Sequence, residues 1–324
     1  MTRAGKVISA VVAVVAVVSG AGWYAVQTGL GPLPGPDSCT ATVDGHTVGM
    51  TTEQAENASI VAAVAERRGL PARAISIAMA TAYQESKLVN LGGGDRDSLG
   101  LFQQRPSQGW GDRDEIIDPY YATNAFYDAL VKIDGYQDME ITEAAQEVQR
   151  SAFPDAYADH EQDGRTIASA MSGYSDAAFS CTTDSADLGA EELEANGLTP
   201  RANAVRNDVT RSFGDLPVGG FEPGGAMSGH MEGSAHYDGR AVDVFFRPVS
   251  SQNTRRGWVL AHYLVANADR LHIEHVIFDD RVWTAGSASD EGWRDFDPAG
   301  VDGDTSAETR VVLEHRDHVH VDVA

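Results

Sequence analysis

The chain has 324 residues, of which 42% are hydrophobic, and its formal net charge is −24. This length accommodates about two domains of ~150 residues each. The charge excludes a nucleic-acid-binding protein, which needs a basic face to neutralise phosphates, and it argues against electrostatic adhesion to anionic surfaces. No nucleic-acid partner is therefore predicted.

The N-terminus has the pattern of a membrane anchor. Arg3 and Lys6 precede residues 7–36, which carry no charge. The apolar part, residues 7–26, is long enough to cross ~30 Å of hydrocarbon, and the basic end should stay in the cytoplasm. We predict a cytoplasmic tail over 1–6, a single-pass anchor over 7–26 and catalytic domains outside the cell membrane. A cleaved signal peptide is the alternative.

A linker and a helical domain are expected next. Prolines stiffen the predicted linker over residues 27–49. Thr51 and Gln54 have the spacing of a capping box, which predicts the start of a helix, and a second helix is predicted over about 73–87. We place the first domain at residues 50–182.

Only two cysteines occur, Cys39 and Cys181, and neither belongs to a Cys-x-x-Cys pair. In an exported protein we expect them to form a disulfide. Two unrelated buried thiols are the alternative.

Glu85 is the first candidate catalytic residue. It lies on the last turn of the second predicted helix, on the small apolar side of Ala78 and Ala82. Desolvation there would raise the pKa of its carboxyl group, as a general acid requires. The alternative is a solvated carboxylate at a helix end.

Two segments resemble soluble lytic transglycosylases. Ala80–Leu88 is similar to the lysozyme-like helix of that family, which ends in Glu-Ser, and Ser98–Gln104 is similar to its Gly-Leu-Met-Gln block. The resemblance implies an all-α lysozyme-like domain in which Glu85 is the acid/base of glycan cleavage and Gln103 and Gln104 bind the sugar. It also favours lytic chemistry with one acid.

Hydrolysis of the glycan is the alternative, and it requires a second carboxylate. Three aspartates stand nearby in the sequence, namely Asp95, Asp97 and Asp112.

An acidic linker is predicted over residues 183–198, followed by a second domain over 199–324. Thr199-Pro200 predicts the start of a helix. Residues 240–246 alternate and then become apolar, which predicts a strand. Further strands are predicted around 276–283, over 311–313 and over 319–323.

The second domain carries a pattern typical of a metal site. His236 and Asp243 lie seven residues apart, and His318 and His320 alternate with Val319, so both should point to one face of a strand. Two imidazoles and one carboxylate suit Zn²⁺, and three protein ligands leave a fourth position for a water molecule whose pKa falls to about 7. The alternative is a chance pattern.

Ser234–Asp243 and His315–His320 together resemble the LAS metallopeptidases (lysostaphin-type, D-Ala-D-Ala and hedgehog-like), and the final block is most similar to penicillin-insensitive murein endopeptidases. The resemblance implies an α+β domain with a central antiparallel sheet. It further implies the following roles: zinc ligands, His236, Asp243 and His320; base and electrophilic helper, His315 and His318; second candidate base, Asp317.

The remaining histidines are interpreted as surface or core residues without a role in catalysis. His230, which lies close to the first block, is interpreted as a loop residue. The others are His46, His160, His262, His272 and His275.

These patterns predict two domains after one transmembrane helix, in a protein that degrades peptidoglycan. One head would cleave the glycan strand and the other would cut wall peptides with zinc. The alternative is a lysozyme-like enzyme whose C-terminal domain holds zinc but only binds the wall or a partner. A metal transporter is disfavoured because one helix cannot form a path. An envelope-spanning machine is a hypothesis for the partner.

Overall fold

A β-hairpin opens the part of the chain that the structure describes. This structure is a computed structural model, and it describes residues 38–149, 160–185 and 188–324. Strands β1 (Ser38–Val43) and β2 (His46–Thr51) pair antiparallel. Asp44 and Gly45 connect them with φ of 51° and 80°, as a two-residue type I′ turn requires. This segment, which sequence analysis placed in a linker, is therefore regular structure.

Helices follow the hairpin. Thr51 and Gln54 form the predicted capping box at the start of the first helix, since the side chain of each accepts a hydrogen bond from the backbone N–H of the other. The helices of this region are α1 (Thr52–Arg67), α2 (Ala72–Ser86), α3 (Arg113–Ile116), α4 (Pro119–Leu130), α5 (Ile141–Gln149) and α6 (Glu161–Met171).

Strand β3 (Phe179–Thr182) returns to β1 and completes a three-stranded antiparallel sheet in the order β2-β1-β3. Cys39 of β1 lies directly opposite Cys181 of β3, and the two are joined by a disulfide across 142 residues of sequence. The predicted disulfide is confirmed. The two cysteines can pair because the three-stranded sheet brings the two ends of the helical region together.

The C-terminal region is built on a six-stranded antiparallel sheet in the order β4-β5-β9-β6-β7-β8. Its strands are β4 (Val218–Gly219), β5 (Ala241–Phe245), β6 (Ile273–Phe278), β7 (Arg281–Thr284), β8 (Arg294–Asp295) and β9 (His318–Val323). Strand β9 is therefore central, and one of its faces, with Val319 and Val321, is buried in the hydrophobic core.

Four helices accompany this sheet, namely α7 (Pro200–Phe213), α8 (Ser251–Ala266), α9 (Ala268–Leu271) and α10 (Ala307–Leu313). Helix α10 replaces the strand predicted over residues 311–313. The Ser306 hydroxyl caps it by accepting from the Thr309 N–H at 3.1 Å, so the helix begins well before the valines.

Helices α1 and α8 join the helical region to the sheet region. The buried side chain of His262 on α8 contacts the Ala170 carbonyl at 2.9 Å, and burial lowers the pKa of this histidine to about 4. Glu66 on α1 accepts hydrogen bonds from Arg255 at 2.8 Å and Arg256 at 2.7 Å. The described residues, 38–149, 160–185 and 188–324, accordingly form one compact unit.

The predicted fold class is wrong. The helical region is not all-α, because β1, β2 and β3 form a sheet beside it, and the described chain is a mixed fold of helices and two sheets. The predicted anchor over residues 7–26 lies outside the described residues. None of the helices within 38–149, 160–185 and 188–324 has the length and apolar character to span a membrane.

Candidate metal centre and the region of Glu85

The pairing of β5 with β9 brings two predicted ligands together. Asp243 and His320 are direct partners in the antiparallel register. Side chains alternate along a strand, so His318, His320 and Asp322 share one face of β9, opposite the apolar core. A register slip of one residue would turn the whole set into the core, so the apolar valines between them maintain the orientation of the site.

His236 reaches the same point from a 3₁₀ turn, Ala235–Asp238, just before β5. Gly239 ends the turn with φ of 66°. The Nδ1–H of His236 donates to the Gly220 carbonyl at 2.7 Å. Gly220 has φ of 83°, and a Cβ atom there would lie 2.2 Å from the His236 ring, so only glycine allows this contact.

Three polar atoms from separate segments converge at the centre. His236 Nε2 lies 3.1 Å from Asp243 Oδ1, His320 Nδ1 lies 3.1 Å from the same oxygen, and the two ring nitrogens are 3.1 Å apart. A tetrahedral ion with bonds of about 2.0 Å would separate its ligand atoms by roughly 3.3 Å. All three residues are buried.

The hydrogen-bond network indicates that these three atoms would all be acceptors once the proton on His320 Nδ1 is removed. Since Nδ1 of His236 donates to a carbonyl, its Nε2 carries a lone pair, and His320 Nε2 lies 3.2 Å from the Asp322 carboxylate, to which it donates. A single proton can serve only one pair of the converging atoms, whereas a cation can serve all three. The donor set therefore fits a divalent metal ion.

The electrostatics agree with a cation at this point. Burial alone would raise the pKa of Asp243, but the neighbouring imidazoles of His236 and His320 lower it far below its usual range. Burial would lower the pKa of His320, but the carboxylates of Asp243 and Asp322 raise it to about 9. The protein thus favours positive charge at the centre of the site.

An outer layer of the site was missed by sequence analysis. Asp322 binds His320 through one oxygen and His275 Nδ1 through the other, at 2.9 Å. A carboxylate behind a ligating imidazole sets its tautomer and orientation. His275, interpreted from the sequence as a residue without a role, belongs to this layer. Glu274, His275 and Asp322 also form a second group whose ligand atoms lie within 4.8 Å of one another. The i, i+2 spacing of Asp322 from His320 was the available signal.

His318 and Asp317 form a pair beside the three ligands. His318 Nδ1 lies 2.7 Å from Asp317 Oδ1, and Arg247 Nε donates to the second Asp317 oxygen at 2.6 Å. His318 Nε2 is left facing the centre, 3.9 Å from Asp243 Oδ1. Both Asp317 oxygens are engaged, and although burial raises its pKa, the bonds with His318 and Arg247 lower it overall.

His315 also borders the centre, with its ring centroid 4.7 Å from that of His318 and 5.6 Å from that of His320. Its Nδ1 lies 3.0 Å from the Leu313 carbonyl, to which it donates. Burial, followed by repulsion from His318 and His320, lowers the pKa of His315 to about 3. This imidazole is therefore neutral at physiological pH.

A cavity of about 570 Å³ opens onto these residues. That volume lies in the range of small-molecule and peptide pockets. Its apolar lining includes Met231, Phe245, Phe296 and Val312. The described chain thus contains His/Asp groups that could hold a metal ion, and they lie at the wall of a substrate-sized pocket.

Glu85 lies on the last turn of α2 and is half-buried. The next residue, Ser86, donates its hydroxyl to the Leu101 carbonyl at 2.7 Å, which ties the Glu-Ser motif to the second block of the transglycosylase resemblance. The two segments quoted for that resemblance are therefore adjacent in space.

The two predicted sugar-binding glutamines have different environments. Gln103 is half-buried and packs against the glycine loop, where a Cβ atom on Gly94 would lie 1.8 Å from its Oε1. Gln104 is only 1% exposed and donates to the Ala122 carbonyl at 3.1 Å. Gln104 is thus inside the protein, with no surface for a sugar.

The three candidates for a second catalytic carboxylate are either engaged in local hydrogen bonds or exposed to solvent. Asp97 accepts from the Ser107 N–H at 2.8 Å and from Arg105 at 2.7 Å, and these bonds lower its pKa strongly. Asp112 is the N-cap residue of α3, and Asp95 is exposed.

Comparison with protein families gives one finding for the sheet region. Residues 194–307 match the family model described as VldE, C-terminal domain. The match covers less than half of the chain; it includes His236 and Asp243 and ends before the segment with His315 and His320. No curated protein matches the chain.

Proposed function

We propose that the sheet region is a zinc-dependent peptidase acting on the peptides of the bacterial cell wall. The observation that supports this most directly is the convergence of His236 Nε2, His320 Nδ1 and Asp243 Oδ1, three buried polar atoms 3.1 Å apart. Two neutral imidazoles and one carboxylate leave a divalent ion with net positive charge. This charge suits a catalytic site for hydrolysis better than a purely structural metal site. The choice of wall peptides rests on the LAS resemblance.

Zinc bound by these three ligands would act as a Lewis acid on a substrate carbonyl and would acidify a coordinated water. The protein supplies the proton transfer. His318 is the best-placed base, since its Nδ1–H is held by Asp317 and its Nε2 lone pair faces the centre. Asp317 acts as a positioning residue, in the manner of the aspartate behind a catalytic histidine.

His315 contributes in a different way. With a pKa of about 3 it is a weak base, and its donation to Leu313 orients the ring at the pocket wall. Its role in the proposal is to shape and polarise the site as a neutral side chain.

The helical region is proposed to cleave the glycan strand through Glu85. Its support is the adjacency of the Glu-Ser turn to the Leu101 segment and the placement of Gln103 beside the glycine loop. Engagement of Asp97 and Asp112 in local hydrogen bonds favours lytic chemistry with a single acid over hydrolysis. Gln104 is not part of this proposal.

The disulfide favours an oxidising, extracytoplasmic compartment, where peptidoglycan is the available substrate. An envelope-spanning machine is retained as the proposed kind of partner. A second candidate function is a zinc-holding module that recognises wall peptides without cutting them. It is favoured by the buried, hydrogen-bonded metal site, which would also suit a structural ion.

Mass spectrometry of peptidoglycan digested by the full chain tests these proposals. We expect wild type to release stem peptides in the presence of zinc and to produce anhydro sugars. His320→Ala should lose zinc binding and peptide release alone, and Glu85→Gln should lose glycan cleavage alone.

Two matched controls keep this test specific. His272→Asn changes an exposed histidine with φ of 53°, which asparagine tolerates, and Glu143→Gln changes an exposed glutamate on α5. Both should leave all products unchanged. Zinc bound at one equivalent without any peptide release would reject the peptidase proposal in favour of the binding module.

A further inference from the structure

His230 lies against a ligand of the proposed metal centre. Its ring stacks on that of His236, with centroids 3.9 Å apart and an interplanar angle of 20°. Ligand atoms of His230, His236 and Asp243 all lie within 4.8 Å of one another. His230 also lines the cavity onto which His236, Asp243 and His320 open.

The backbone of His230 is held in place by the residue next to a metal ligand. The Tyr237 hydroxyl accepts from the His230 N–H at 3.2 Å and donates to the His230 carbonyl at 2.6 Å. The His230 ring nitrogens, by contrast, have no hydrogen bond to any other described residue. The loop is therefore fastened at its backbone, while the imidazole keeps a lone pair for a ligand.

Two glycines flank the loop that carries His230. Gly229 and Gly233 flank it with φ of 94° and 80°, and a methyl group added to either glycine would meet no atom within 4 Å beyond its chain neighbours. Met227 is 84% exposed on the same loop. Glycines that bracket a short surface loop can absorb the backbone change of a lid.

We propose that His230 is a removable fourth metal ligand. In the closed state the imidazole of His230 would join His236, Asp243 and His320 and would fill the fourth coordination position of the ion. In the open state the loop would turn outward about its glycines, and a substrate carbonyl would take the position that the imidazole leaves. This inference rests on the proposed metal site and adds to it a gate that limits access.

The proposal requires two opposite effects of one substitution. His230→Ala should weaken Co²⁺ binding by at least about tenfold, because a ligand is lost. The same change should increase peptide release at saturating metal, because the coordination position is already open. If His230 merely supported the fold, its replacement would lower both the Co²⁺ affinity and the peptide release, or would change neither.

The experiment is a titration of the metal-stripped full chain with Co²⁺, followed by visible absorption, and then addition of azide to the loaded protein. We expect the spectrum of His230→Ala to differ from that of wild type and to respond to azide at much lower concentration. Tyr237→Phe, which loosens the backbone but keeps the imidazole, should shift affinity in the same direction by a smaller factor. His272→Asn should behave as wild type.

Each other result overturns the inference. If His230→Ala keeps the Co²⁺ affinity and spectrum of wild type, His230 is not a ligand, although the three-residue site survives. Reduced peptide release at saturating metal would instead make His230 a substrate contact. Failure of wild type to bind Co²⁺ would reject the metal site and the gate together.

Discussion

The candidate metal pocket around His236, Asp243 and His320 and the region around Glu85 use their polar side chains differently. In the pocket these three residues each direct one polar atom at a common point, where a single proton can bridge only one pair of atoms and a cation could contact all three. Around Glu85, Gln103 and Gln104 donate to backbone carbonyls, as side chains in any stable fold do. The comparison teaches that several buried polar atoms converging on one point, more than the mere presence of polar residues, indicate chemistry.

Both regions nevertheless belong to one unit. Removal of the disulfide tests whether the helical region and the sheet region unfold together. Replacing Cys39 and Cys181 by serine should lower the free energy of unfolding by about 2–5 kcal/mol, because the crosslink no longer restrains the unfolded chain. Urea denaturation followed by circular dichroism and tryptophan fluorescence measures this. Trp283 donates to the Cys181 carbonyl at 3.1 Å, so the sheet region should unfold in the same transition. Two separate transitions, with only one shifted, would contradict the coupling.

Removal of the Asp322 carboxylate tests whether His320 needs this partner to bind a metal ion in the candidate pocket. Asp322→Asn should reduce zinc affinity by about 10- to 100-fold, since the tautomer and orientation of the ligating ring are no longer set. Competition with a chelating dye measures the affinity. Asp269→Asn, at an exposed position on α9, is the matched control. An unchanged affinity in Asp322→Asn would show that His320 needs no support.

Acidity should weaken metal binding steadily. The pKa of His320 is about 9 in the protein without an ion, so below that pH a proton occupies an atom that the metal needs. Apparent zinc affinity should therefore fall about tenfold for each pH unit lowered. Dye competition at several pH values between about 6.5 and 8.5 checks the slope, and a flat profile would mean that the metal does not bind through this nitrogen.

The smallest expected effect concerns the contact between the two regions. Glu66→Gln should cost about 1 kcal/mol of unfolding free energy, because the bonds to Arg255 and Arg256 are only partly buried and solvent screens them. Urea denaturation of the variant beside Glu143→Gln measures this. A loss several times larger would mean that this ion pair, rather than apolar packing, holds the regions together.

Local patterns were predictable where a short-range rule applied. The capping box at Thr51 and Gln54, the helix that starts at Pro200 and the strand over Ala241–Phe245 follow from capping chemistry and alternation. The hairpin at Asp44-Gly45 was predictable by the same kind of rule and was overlooked. The helix over Ala307–Leu313 was mistaken for a strand, because its β-branched valines favour strands although Ser306 caps a helix directly before them.

The sequence by itself indicated the three candidate metal ligands. His236 precedes a predicted strand, Asp243 lies on that strand, and His320 lies on a second predicted strand. The tertiary structure decided their partners. It placed Asp322 and Gly220 behind the imidazoles, His230 against the His236 ring and Gln104 inside the protein. The reason is physical: hydrogen bonds and burial depend on distances between segments far apart in the chain, which a one-dimensional pattern does not contain.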